Sequence, residues 1–335
     1  MPAQTFSEFW SAQHRDLPLP APSAIAGRLY VLTGGNHGIG LEAAKHLVRM
    51  SASRVIISSR SLANGAAAVA EIERDTGITG KVEAWQLDLG NFDSVKQFAK
   101  KVEGLERVDA VIENASIATD FWTVREGIET SVAVNIVGTF LLGVLVYSKL
   151  VESGKKFGTK TSLTVVGSNA AFFSVGVLEK VEGDILQAYN TKGKVDIGGR
   201  YEHTKLIQFY ILRELATQLP YEKAGVVINC ISPGLCNTGL ARNASLKTRF
   251  HVRAMNILLG RTAEMGSRTL LHAATVGPES HGKYVADCQV SDHYVPEWVT
   301  DESGRNIQKR LWKELSGMLN DIEPGCLIRA LSKAR

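Results

Sequence analysis

The sequence predicts an α/β fold, a doubly wound parallel sheet with helices on both faces. Three observations carry this prediction. A short apolar run, Leu29 to Leu32, is followed by the glycine-rich turn Thr33-Gly34-Gly35-Asn36-His37-Gly38-Ile39-Gly40 and then by a helical pattern. Strand-like and helix-like segments alternate along most of the chain, which implies parallel strands joined by crossover helices. Polar residues gather just after the strand C-termini, where sheets of this kind bind ligands.

The first strand and turn are the most informative stretch. Leu41, Ala44, Leu47 and Val48 recur at helical spacing, so the turn opens a helix. The start of that helix offers unpaired N–H groups and a positive dipole end to a phosphate, and glycines let the backbone come close. Alone, such a turn is also an ordinary strand-to-helix connection. The second strand, Val55-Ile-Ile-Ser-Ser-Arg60, sharpens the reading. A Rossmann-type dinucleotide fold places its ribose-reading residue about 20 positions past the glycines, acidic for NAD and basic for NADP. Ser58, Ser59 and Arg60 stand there, with no acid. A carboxylate would repel a 2′-phosphate, whereas a guanidinium pairs with it as a fork. NADP(H) is therefore the expected cofactor. His37 is either a solvent-facing turn residue or a contact to the 2′-phosphate.

The remaining elements follow in order. Helix 62–75 is marked by Leu62, Val69 and Ile72, and strand 81–87 by Val82, Trp85 and Leu87. Helix 91–103 carries Phe92, Val95, Phe98, Ala99 and Val102 on one face. Strand 108–113 precedes helix 134–152, and strand 161–167 follows it. Helix 201–219, strand 225–231 and a short strand near Lys283–Ala286 complete the pattern. The longest apolar stretch, Val132 to Val151, contains Asn135, Ser148 and Lys149. Its clean apolar part is short for a membrane span, so it reads as a buried or interface helix.

The domain reading is an N-terminal extension over 1–26, a catalytic domain over 27–290, and a C-terminal helical extension over 291–335. The first segment has no apolar core of the kind a secretory signal carries. Phe6, Phe9 and Trp10 are expected to form a short helix that caps the core. The chain has 335 residues, 44% hydrophobic and 21% charged, with a net charge of +4, the profile of a globular protein. No Lys/Arg cluster points to nucleic acid. Cys230, Cys236, Cys288 and Cys326 are scattered without CxxC spacing, which suits reduced thiols and a cytoplasmic setting. Cys236 reads as a small packing residue. No His/Cys/Asp cluster has metal-ligand spacing.

The strand ends carry a resemblance. Thr33-Gly34-x-x-x-Gly38-x-Gly40, Asp88-Leu89, Asn114-Ala115, Asn135, Ser168, Tyr201-x-x-x-Lys205 and Pro233-Gly234-x-x-x-Thr238 occur in that order. Over about residues 26–290 the chain resembles the short-chain dehydrogenases/reductases. It is more closely similar to the retinol-dehydrogenase-like branch of fungal biosynthetic enzymes, through Trp85-Gln-Leu-Asp-Leu, Arg261-Thr-Ala-Glu-Met-Gly-Ser-Arg268, Ser280-His-Gly-Lys-Tyr284 and Arg310-Leu-Trp-Lys-Glu314.

The resemblance implies a catalytic tetrad of Asn135, Ser168, Tyr201 and Lys205. It also implies a cofactor site of Gly34, Asn36, His37, Gly38, Ile39, Ser59, Arg60, Asp88, Leu89, Asn114, Ala115, Tyr201, Lys205, Pro233, Gly234 and Thr238. Tyr201 would be the general acid/base. A free phenol has a pKa of about 10, and Lys205 one helical turn away would favour its phenolate. Lys205 would also hold the nicotinamide ribose, and Ser168 would bond the substrate oxygen. Asn135 would anchor a water leading to Lys205. His203 is expected at the surface.

Two departures stand out. Glu113 and Ser116 replace the Asn and Gly of the middle motif and are expected to alter the floor under the nicotinamide. The stretch between Ser168 and Tyr201 is also much longer than usual. Segment 172–200 is expected to be a substrate lid, with Phe172, Phe173, Val175, Val177, Leu178, Ile185, Leu186 and Tyr189 lining the pocket and Gly193, Gly198 and Gly199 as hinges. The other reading is a surface excursion packed on its own side chains. The expected function is an NADP(H)-dependent oxidoreductase that interconverts a carbonyl and an alcohol on an apolar small molecule in secondary-metabolite biosynthesis. The alternatives are a non-redox isomerase or cyclase on the same fold, or a non-catalytic NADP(H) sensor. A homodimer is left open.

Overall fold

The computed structural model describes residues 4–333. Residues 1–3 and 334–335, the outer ends of the predicted terminal extensions, lie outside the described residues. The strands are β1 (Leu29–Leu32), β2 (Arg54–Ser59), β3 (Val82–Gln86), β4 (Ala110–Glu113), β5 (Val124–Arg125), β6 (Ile128–Glu129), β7 (Thr161–Val166), β8 (Val226–Ser232), β9 (Tyr284–Ala286) and β10 (Gln289–Val290). Eight form one sheet in the order β10-β9-β8-β7-β4-β1-β2-β3, while β5 and β6 make a separate hairpin. Within the large sheet only β9 and β10 run antiparallel. The strand order reverses between β1 and β4, and that switch point opens the crevice at their C-terminal ends.

The helices are α1 (Phe6–Gln13), α2 (Gly38–Arg49), α3 (Leu62–Thr76), α4 (Phe92–Glu103), α5 (Thr130–Val132), α6 (Thr139–Phe157), α7 (Ile185–Tyr189), α8 (Arg200–Gln218), α9 (Tyr221–Ala224), α10 (Leu246–Leu259), α11 (Ala263–Thr275), α12 (Glu297–Thr300), α13 (Glu302–Ile322) and α14 (Cys326–Lys333). Alternate strand residues feed two cores. Leu29 and Val31 of β1 pack with α4, α6 and α8 on one face. Tyr30 and Leu32 pack with α2, α3 and α11 on the other. Burial on both faces is why the strands read as continuous apolar runs rather than alternating ones.

The predicted helix 134–152 is part of a longer one. The Glu129 carboxylate accepts from the N–H groups of Ser131 and Val132 and caps the start. A π turn over Ala133–Gly138 then leads into α6. This is the one helix among the described residues long and apolar enough to cross a membrane, and 83% of its most apolar window is buried. It is a core helix.

Two expectations are corrected here. A helix does form at the N-terminus, closed by a capping box between Thr5 and Glu8. Two of its aromatic residues do not cap the core, however: Phe6 and Trp10 are exposed, Phe9 is half-buried, and Ala12 and Gln13 are buried instead. Second, most apolar residues of 172–200 face the core, not a pocket. Leu178, Ile185, Leu186 and Tyr189 belong to the same cluster as Leu311, Leu315 and Leu319 of α13. Glu314 of α13 accepts from the N–H groups of Ile185 (2.9 Å) and Leu186 (2.6 Å). The physical reason is the stripe Ile307, Leu311, Leu315, Leu319 on α13, buried at helical spacing, which needs an apolar partner and finds part of it here.

Candidate active site

A cavity of about 1190 Å³ lies at the C-terminal ends of β1, β2, β4, β7 and β8. Ordinary ligand pockets hold about 300–1,000 Å³, so this one has room for a dinucleotide and a second molecule. Its wall is built from the loops that follow the strands.

The glycine turn is locked into the sheet. The Gly34 N–H donates to Ser58 Oγ at 3.2 Å. Asn114 Nδ2 donates to the carbonyls of Thr33 (2.9 Å) and Gly34 (3.1 Å), and Thr33 Oγ1 accepts from the Ala115 N–H at 2.9 Å. The ends of β1, β2 and β4 are thus tied together around the turn. Gly34 and Gly38 have φ of +64° and +58°, which only glycine adopts cheaply. A Cβ on Gly34 would press on Ala115, and one on Gly40 on the Gly34 carbonyl. The turn therefore presents bare backbone and the start of α2 to the cavity, and the His37 side chain does not cap that helix. These features fit a pyrophosphate.

At the end beside β2 and β3, Asn36, Ile39, Ser59, Arg60, Asp88 and Leu89 line the cavity with His37. Arg242, on the loop before α10, joins them and had no expected role. Desolvation lowers the pKa of Arg242, and the charge of Arg60 lowers it further. His37 is likewise lowered, first by desolvation and then by Arg242 and Arg60. His37 is therefore neutral near pH 7, and Arg60 and Arg242 are the two cations that act on it and on each other. Mutually repelling cations around a cavity are the electrostatic shape of an anion site.

At the other end, Ser168 follows β7, and Tyr201 and Lys205 lie in the first turns of α8; all three line the cavity. Pro233, Gly234 and Thr238 close it from the loop after β8. Gln13 of α1 steadies that loop, donating to the Leu235 carbonyl (2.9 Å) and accepting from the Leu235 N–H (3.1 Å). Lys205 Nζ donates to the Val166 carbonyl at 2.8 Å and lies 5.6 Å from the centre of the Tyr201 ring. Burial lowers the Lys205 pKa to about 8. Burial pushes the Tyr201 phenol far above its ordinary range, with the Ser168 hydroxyl pulling the other way. At about 8 the Lys205 ammonium still carries its charge for most of the time at neutral pH, close to the Tyr201 ring.

Asn135 does not itself line the cavity. Its side chain is fully used. Oδ1 accepts from Ser116 Oγ and the Ile117 N–H, each at 2.9 Å, and Nδ2 donates to the Ile117 carbonyl and Thr204 Oγ1. Its main-chain carbonyl accepts from Gln208 Nε2. The π turn places both ends of Asn135 within reach of these groups. His203 is not a surface residue either: it is half-buried, with its ring 5.8 Å from that of Tyr189. Cys236 packs beneath the loop after β8, its thiol bonded to the Pro233 carbonyl and raised by burial to about 12. Of segment 172–200, only Phe173 and the residues from Ile197 onward reach the cavity.

Glu113 corrects a further expectation. Its carboxyl does not line the cavity and lies against Gly143. Neither of its oxygens has a hydrogen-bond partner. Burial raises its pKa well above the ordinary value, which favours the protonated carboxyl in the native protein. The unfolded chain releases that proton near pH 4.3. Between the two pKa values the native state binds more protons, so stability falls by up to about 1.4 kcal/mol per pH unit as pH rises. Glu113→Gln is expected to flatten that slope and to be the more stable protein at pH 7. Urea unfolding from pH 5 to 8 tests this, and parallel curves for the two proteins would refute it.

Comparison with known proteins agrees with this geometry. The sequence model described as short chain dehydrogenase matches residues 28–179. A short chain dehydrogenase/reductase of Cryptosporiopsis sp. is 36% identical over 321 residues, covering 94% of this chain and 97% of its own. A short chain dehydrogenase of Emericella nidulans is 38% identical over 284 residues, covering 84% and 90%. Among solved structures, a short-chain dehydrogenase from Sphingobium yanoikuyae in complex with NADPH has the same fold, with a TM-score of 0.55 at 19% identity, covering 73% of this chain and 82% of that one.

Proposed function

The chain belongs to the short chain dehydrogenase/reductase family, an oxidoreductase family that binds a nicotinamide cofactor, and from that premise we propose a specific activity. The protein uses NADP(H) to interconvert a carbonyl and an alcohol on an apolar small molecule, in fungal secondary-metabolite biosynthesis. The observation that carries the reading is one cavity with His37, Arg60 and Arg242 at one end and Ser168, Tyr201 and Lys205 at the other.

In this reading Arg60 and Arg242 pair with the 2′-phosphate, neutral His37 lies beside them, and the glycine turn and α2 take the pyrophosphate. When bound, the cofactor supplies or withdraws hydride. Tyr201 donates a proton to the carbonyl oxygen, or takes one from the alcohol. Ser168 bonds the same oxygen and stabilises charge that develops on it. Lys205 holds the nicotinamide ribose and presents its charge to Tyr201. Asn135 is a positioning residue that ties the loop at Ser116–Ile117 to Thr204, beside Lys205. Phe173, Leu240, Val252, Met255 and Leu259 give the substrate end an apolar wall, which supports an apolar substrate. Free Cys230, Cys236, Cys288 and Cys326 suit a reducing cytoplasm.

Titration calorimetry tests the cofactor. NADPH is expected to bind more tightly than NADH. Arg60→Ala and Arg242→Ala should each remove a charge-assisted contact of about 1.5–3 kcal/mol from NADPH and leave NADH unchanged. Equal binding of both cofactors to the unmutated protein would overturn the NADP(H) reading. Mass spectrometry of the product tests the chemistry: reduction adds a hydride and a proton, whereas a product of unchanged mass would mean isomerisation.

A further inference from the structure

The helix α10 is a wall of the cavity, yet its outer side is apolar too. Thr248, His251, Val252, Met255, Asn256 and Leu259 face inward and line the cavity. Opposite them, Leu246, Phe250 and Ile257 are 79%, 76% and 76% exposed. At 100° per residue these three fall within a sector of about 40°. Single exposed apolar residues are normal, but three large ones in one stripe are not. Lys247, Arg249 and Arg253 flank the stripe, and residues 246–259 contain no Asp or Glu. The acid nearest in the bonding pattern is Asp120, whose oxygens accept from the Ser245 N–H and Thr248 Oγ1 at the start of the helix. Its charge is spent on that end, not on the stripe.

A second apolar element adjoins the first. Helix α1 exposes Phe6 and Trp10, and its Gln13 donates to the Leu259 carbonyl at the end of α10. Phe6 and Phe9 also line the cavity.

We propose that α10, with α1 beside it, docks flat on an anionic phospholipid surface. An apolar stripe edged by cations is the pattern of a helix lying in the membrane interface. Its large residues enter the acyl boundary, and the lysine and arginine stems reach along the surface so that their charged ends meet lipid phosphates. A second copy of the chain is a poor occupant. Two-fold pairing over α10 would set Lys247, Arg249 and Arg253 against their own counterparts. The cavity then lies one helix away from the bilayer, where an apolar substrate of the kind proposed above is concentrated. The docking itself does not depend on that reading, and its test uses neither substrate nor cofactor.

The experiment is co-sedimentation of the full chain with phosphatidylcholine vesicles, with and without phosphatidylserine, at low and high salt. The unmutated protein is expected to pellet with phosphatidylserine vesicles and to be released by salt. Phe250→Asp with Ile257→Asp should weaken pelleting at least about tenfold, because each change puts a charge where apolar burial drove binding. Replacing Lys247, Arg249 and Arg253 by Gln should remove the preference for phosphatidylserine. Circular dichroism and cofactor affinity of both variants should match the unmutated protein, since none of these residues lines the cavity. The proposal fails if the unmutated protein stays in the supernatant at every lipid composition. It also fails if light scattering finds a dimer that the Phe250→Asp, Ile257→Asp variant converts to a monomer.

Discussion

Tyr201→Phe is expected to lower turnover by about 10²–10⁴-fold while NADPH binds almost as before. The change removes one hydroxyl and keeps the ring, so the wall of the cavity is conserved. What is lost is the proton carried to or from the substrate oxygen. Burial raises the Tyr201 phenol, so it is protonated and ready to donate at neutral pH. Lys205→Ala is expected to behave differently and to harm both binding and turnover. It removes a buried cation and leaves the Val166 carbonyl without the donor that satisfies it now. Single-turnover kinetics together with calorimetry separates the two effects. An ordinary turnover rate in Tyr201→Phe would end the proposed mechanism.

Leu186→Ala is expected to cost about 2–5 kcal/mol of folding stability and to leave KM for the substrate unchanged. Leu186 is buried in the core beside α13, and its N–H is held by Glu314. Leu178→Ala should act in the same way, since Leu178 is also fully buried. Phe173 provides the contrast, because it lines the cavity yet is 66% exposed. Phe173→Ala should change KM and cost little stability. Thermal unfolding of the three variants, with steady-state kinetics on each, tests the division. A raised KM with unchanged stability in Leu186→Ala would restore a lid role to the middle of the segment.

The framework was legible because its signals are local. An apolar run with glycines behind it, or a tyrosine and lysine one helical turn apart, can be read without knowing what packs nearby. Ser168, Tyr201 and Lys205 do line one cavity, together with Arg60 and the glycine turn. What was not legible depended on distant partners. Composition says that Leu178 and Tyr189 are apolar, but not whether they cover a ligand or a helix. The stripe Ile307, Leu311, Leu315, Leu319 was the available clue, since it demands an apolar partner. Arg242 carried no signal, because one arginine in an irregular loop has no pattern until the fold brings Arg60 and His37 near it. Asn135 was found by its place in the order, but the π turn that commits its side chain to Ser116, Ile117 and Thr204 leaves no mark in hydrophobic periodicity.

The packing of α13 and α14 has a consequence for how a cell makes this protein. Leu311, Leu315, Leu319, Cys326 and Ala330 complete an apolar cluster whose earliest member is Leu29. During translation α6, α8 and the strands up to β8 leave the ribosome well before these residues do. Until they emerge, the faces of α6 and α8 that α13 and α14 will cover are bare. Until α13 and α14 emerge, the nascent chain is therefore a client for chaperones that shield apolar surface. A premature stop after about residue 300 would spare every cavity residue named above. It would still yield a protein that quality control removes rather than a shortened enzyme.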